Sequence, residues 1–160
     1  MTQDGNGNGN GNAYHGLPPE RKLQQFLFEA ERFMTSIIGY SKFLSADAQK
    51  PPLQSTLSPD FVQSLDAIQT TGGKFARSLR EITTPENNNA YKDPLVRQRL
   101  AMLLNESAGR ISLIMGYIQL LKLEAQKCDL PPKFAGNLEM LQTAAERLSK
   151  TREELAESMK

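Results

Sequence analysis

The chain has 160 residues, enough for one compact domain or for two small units that share a core, and it carries 19 Lys and Arg against 18 Asp and Glu. A net charge of +1 gives no long-range field to gather nucleic acid or an anionic membrane, so neither is expected as a partner. The single cysteine, Cys128, has no intrachain disulfide partner, the chain does not open on a secretory signal, and no apolar run nears the roughly 20 residues of a bilayer-spanning helix. A cytoplasmic protein without membrane insertion is expected.

Residues 1–17 are mainly alternating Gly and Asn, with only Ala13, Tyr14 and Leu17 to bury, and the composition predicts a disordered tail. His15, the one histidine, falls in it and is expected to be solvated. Pro18-Pro19 followed by Glu20 suits a helix entrance, and the first helix is predicted from there to about Ala48, before Pro51-Pro52 forbids continuation. Its apolar seam is Leu23, Leu27, Ala30, Met34, Ile37 and Leu44, with Ser41 in the remaining slot, in alternating steps of four and three. A loop is expected up to Ser58. Ser58-Pro59-Asp60 then signals the second helix, with its seam at Phe61, Leu65, Ile68, Gly72, Phe75, Leu79 and Ile82. Gly72-Gly73 lowers its helix propensity by about 1 kcal/mol per glycine, for which close approach of another backbone is the expected reason.

Residues 85–94 collect Pro, Asn and Asp and read as a linker. The third helix, predicted from about Leu95 to Lys127, repeats the first seam 77 positions later as Leu100, Leu104, Ser107, Ile111, Ile114, Ile118 and Leu121. The fourth, opening at Pro131-Pro132, has its seam at Phe134, Leu138, Leu141, Ala145, Leu148, Arg152 and Leu155 and repeats the second helix at a spacing of 73, with Phe61, Leu65, Gln69, Thr70 and Glu81 matched by Phe134, Leu138, Gln142, Thr143 and Glu154. The chain therefore reads as a tandem duplication, with hairpin repeats at 18–84 and 95–160. A lone hairpin leaves its seam exposed. The expected fold is all-α, an antiparallel four-helix bundle of two tandem hairpins related by a pseudo-twofold, a single-chain pseudodimer.

Thr35-Ser-Ile-Ile-Gly-Tyr-Ser-Lys-Phe-Leu44, and Phe61 to Phe75 in the next helix, resemble the dimerisation and histidine-phosphotransfer domain of sensor histidine kinases. That resemblance implies a bundle of the same kind, which the family builds by dimerisation. In the family the phosphoacceptor histidine stands eleven residues before the glycine. Here those positions hold Phe28 before Gly39 and Asn105 before Gly116. Phenylalanine has no nucleophile and the amide nitrogen of asparagine is delocalised, so phosphoryl transfer is expected to be lost. The family's neighbouring acid persists as Glu29 and Glu106, each expected to be a solvated helix acid; the water-orienting residue is replaced by Arg32 and Gly109, and the kinking proline by Phe33 and Arg110.

No Gly-rich phosphate loop, no ATP-binding domain within these residues and no metal-ligand spacing is recognised, so no enzyme activity, cofactor or metal is expected. The resemblance implies a non-catalytic adaptor that binds a response-regulator receiver domain or a histidine kinase. Phe28, Glu29, Arg32 and Phe33 on one side, or Asn105, Glu106 and Arg110 on the other, would make the contact. The alternatives are a helical scaffold or oligomerisation module and, least favoured, a phosphorelay transferase. As a pseudodimer the chain is expected to be a monomer or a weak homo-oligomer.

Overall fold

A computed structural model describes residues 12–82 and 96–160, so the linker at 85–94 and the first eleven residues of the expected tail lie outside the described residues. The described elements are all helical: α1 Pro19–Ala48, α2 Leu53–Thr56, α3 Pro59–Ile82, α4 Val96–Ala125 and α5 Pro132–Ser158. They form a helical bundle. α1 packs between α3 and α5, α4 packs between the same two helices, and α1 and α4 meet less extensively across the diagonal.

The boundaries follow local chemistry. Pro18 and Pro19 open α1, where a missing amide hydrogen leaves no intrahelical bond unmade, and the N–H groups of Gln49 and Lys50 bond back to Ala46 and Asp47 in a closing turn. Ser58 caps α3, its Oγ accepting the Phe61 N–H at 3.2 Å. The stretch expected as a plain loop before Ser58 contains the four-residue helix α2, because Leu53 and Leu57 both turn inward and are buried.

The predicted seams line the core. Every position of the first and third seams is buried, as are Phe61, Leu65, Ile68, Gly72, Phe75 and Leu79 of the second. Burying each Leu or Phe contributes about 1.5–3 kcal/mol, so the seams outweigh the propensity cost of two glycines. The hydroxyls of Ser41 and Ser107 sit inside the seams and turn to their own helix. Each hydroxyl donates to the carbonyl three residues back, to Ile38 at 2.9 Å and Leu104 at 3.0 Å. Among the seam positions whose burial is described, Arg152 is the one that is not buried. Its Nε donates to the Leu104 carbonyl at 3.2 Å, so the stem can lie along the core while the head keeps a partner. At one end of the bundle Phe61 meets its own repeat counterpart Phe134, ring centroids 5.9 Å apart.

The reading of residues 1–17 as a disordered tail does not hold for Asn12–Leu17. Tyr14 is 1% exposed and belongs to the core. Asn12 fixes the turn at both ends: its Oδ1 accepts the Tyr14 N–H at 2.9 Å and its Nδ2 donates to the Glu154 carbonyl on α5 at 2.9 Å. Gly16, at φ 82°, takes the left-handed conformation that lets the chain turn into α1. A single aromatic ring, buried against helices that already exist, offsets the ordering cost that composition alone made prohibitive.

The expected reason for the paired glycines is also revised. A Cβ on Gly72 would lie 3.0 Å from Met34 Cε and 3.2 Å from Ile38 Cγ1, so what approaches is the side chains of α1 and not its backbone. Gly73 has open space where its Cβ would be.

Candidate functional site

α1 presents the first group of expected contact residues on successive turns. Phe28 projects from it with 65% of its surface exposed, which makes it the largest exposed apolar side chain at this end of the helix. Arg32 is exposed one turn on, with its guanidinium carbon 5.7 Å from the centroid of the Phe33 ring. Phe33 is half-buried and packs against the core, so it widens the core more than it offers an anchor.

Glu29 does not behave as the expected solvated acid. It is half-buried, and its Oε1 accepts the Tyr14 hydroxyl at 2.6 Å. Burial, then the hydrogen bond and charge of Glu29, then the charge of Glu154, hold the phenol pKa well above its ordinary range. Tyr14 therefore stays a neutral donor and holds the Glu29 carboxyl in place beside Phe28. Sequence spacing singles out Glu29 but not its pairing with Tyr14, since fourteen positions of intervening chain separate them and no periodicity links a tail to a helix.

On α4 the second group has a different character. Asn105 and Glu106 are exposed, and Glu106 forms an ion pair with Arg110 at 3.1 Å, one helical turn away. Arg110 is partly buried, and its Nη1 has no hydrogen-bond partner. Here the expectation of a helix acid at the surface fits. Because α1 and α4 are diagonal in the bundle, the two groups face separate surfaces and do not assemble into one site.

Phe28 and Asn105 supply no phosphoryl-accepting atom, and among the described residues no three His, Cys, Asp or Glu side chains converge as metal ligands would. His15 is exposed and Cys128 half-buried at the end of α4. An open groove of about 900 Å³ runs between α3 and α4, lined by Phe61, Ser64, Ala67, Tyr117 and Leu120. At its end Glu124 receives the Ser58 N–H at 2.7 Å and the Ser58 hydroxyl, tying the start of α3 to the end of α4. No described helix is long and apolar enough to cross a membrane.

On α1 an exposed aromatic, Phe28, thus stands next to a carboxylate held by Tyr14 and one turn from an exposed guanidinium. No protein-family model, no curated protein and no solved structure matches the chain.

Proposed function

We propose that this protein is a non-catalytic signalling adaptor: a single-chain counterpart of the histidine-kinase dimerisation bundle that binds a receiver domain or a histidine kinase without accepting phosphate. The observation that carries the reading is Phe28. It stands where the resemblance puts the phosphoacceptor and is 65% exposed on α1, with Glu29 held beside it by Tyr14. An apolar ring replaces the nucleophile while the position keeps its access to a partner.

The pseudo-twofold arrangement belongs to the same proposal. It is supported by the packing of α1 and α4 each between α3 and α5, and by the contact of Phe61 with its own counterpart, as residues near a twofold axis meet their equivalents. In such a pseudodimer the two outer faces need not be alike. The α1 face, with Phe28, Glu29 and Arg32, is the docking face; Asn105 and the Glu106–Arg110 pair leave the α4 face without an aromatic anchor at the matching place.

The test is calorimetric titration of the full chain with receiver domains and with histidine-kinase catalytic cores, with phosphate transfer followed in parallel. Binding is expected, with no phosphate retained on this chain. Phe28→Ala should weaken it by about tenfold or more, the effect of removing an interface anchor, whereas Phe43→Ala, equally exposed farther along α1, should not. Phosphate on the chain, or binding indifferent to Phe28, would sink the reading.

A further inference from the structure

α4 carries a second apolar seam that the bundle does not use. Met102, Leu113, Leu120 and Leu123 are each more than half exposed, and with Glu106, Gly109 and Gly116 they recur in steps of four and three along the face opposite the buried seam. Between Arg110 and Lys122 the helix holds no charge at all. The duplication supplies an internal control. At the matching positions of α1 stand Gln25, Ser36, Phe43 and Ala46, and that helix is buried along the same inner seam. The fold therefore does not require Met102 or Leu113 to be apolar, nor Leu123 to be large.

The same face states what covers it. Its two charged positions are Glu106 at one end and Lys127, in the turn just past the other, both exposed. Glu106 lies seven residues before Leu113 and Lys127 seven after Leu120. A second copy laid antiparallel about the Gly116–Tyr117 midpoint brings Leu113 beside Leu120 and Glu106 opposite Lys127, twice by symmetry. A parallel copy would set like charge on like. Gly109 and Gly116 let the two helix axes approach closely, and the apolar face from Met102 to Leu123 spans about 32 Å at 1.5 Å per residue.

We propose that the α4 face is a homodimer interface, formed by a second copy of this chain packed antiparallel on α4, with an isologous twofold. The interface is separate from the α1 face and does not depend on what that face binds. Tyr117 and Leu120 also border the groove between α3 and α4, so the dimer contact continues onto the side of α3.

Sedimentation of the full chain over a concentration series tests this. A reversible dimer is expected, and Leu113→Ser with Leu120→Ser should leave a monomer of unchanged helicity, whereas Phe43→Ser should leave the dimer intact. Glu106→Lys and Lys127→Glu should each raise the dimer Kd by about tenfold through like-charge contacts, and the two changes together should restore it. The charge exchange decides the matter should the leucine variant fail to fold. A monomer at every concentration, a dimer that survives loss of both leucines, or a double charge variant no tighter than the singles would each overturn the proposal.

Discussion

The two long helices that begin the repeats, α1 and α4, are alike inside and unlike outside. Their inner seams coincide position for position across 77 residues, down to one serine in each that bonds its own backbone. Outside, α1 is covered at Glu29 by the Tyr14 turn and shows Phe28, whereas α4 leaves Glu106 at the surface and shows a run of leucines. The core sets a common requirement on both copies and the outer faces do not share it. Differences confined to the outer faces therefore point to what each helix meets beyond the bundle.

The largest expected effect comes from removing the Tyr14 cover, which only the first copy has. Tyr14→Ala empties a fully buried aromatic site and should cost about 3 kcal/mol in urea unfolding. Tyr14→Phe keeps the ring but leaves Glu29 without its donor, a cost of about 1–2 kcal/mol. The pH dependence separates the two contributions. Because the folded phenol pKa is raised above 10.0, the hydrogen-bond advantage of the wild type over Tyr14→Phe is complete below pH 10 and shrinks as pH rises beyond it. An advantage that grew with alkaline pH would break the assignment of Tyr14 as the neutral donor.

A middling effect is expected at the other end of the repeats. Glu124 accepts two bonds from Ser58 and so joins α3 to α4, while its counterpart Asp47 only pairs with Lys50 at 3.5 Å, three residues on. Glu124→Gln should lower stability by about 1 kcal/mol, since the acceptor is half-exposed and one amide oxygen remains. Asp47→Asn should stay within a few tenths, as surface pairs do. Equal losses in the two variants, measured by thermal melts, would mean that Glu124 is a surface acid like its counterpart.

The seams were legible because one period governs the whole of each helix, so Leu23 to Leu44 and Leu100 to Leu121 could be assigned to the core from spacing alone. Gly72 was recognised as a seam position, but its neighbour was not, since which part of α1 comes close depends on the rotamers of Met34 and Ile38. Tyr14 escaped notice because composition averages over a segment and a single buried ring is decided by tertiary packing. The half-burial of Phe33 and the exposure of Phe28 were likewise beyond reach, for both flank the seam and sequence spacing places them similarly. Met102, Leu113, Leu120 and Leu123 on α4 belong to no predicted seam, and only the packing of α3 and α5 around α4 shows that no described helix covers them.

The smallest effects, and the finest comparison, concern two adjacent glycines. Gly73→Ala should gain helix propensity without a clash and stabilise α3 by about 0.5–1 kcal/mol. Gly72→Ala gains the same propensity, but its Cβ presses on Met34 Cε, and Met34 is fully buried, so its methyl can retreat only by displacing packed neighbours. That strain should cancel the gain and leave the variant no more stable than the wild type. The second copy shows how the position can be filled: Ala145 stands at the place of Gly72, and the residue matching Met34 is the shorter Ile111. Met34→Ile should therefore restore the gain to Gly72→Ala by about 0.5 kcal/mol relative to its effect in the wild type, a coupling read from a double-mutant cycle. If Gly72→Ala stabilises as much as Gly73→Ala without that second change, the α1–α3 contact is looser than the distances imply, and the two repeats differ in residue size at this layer without differing in fit.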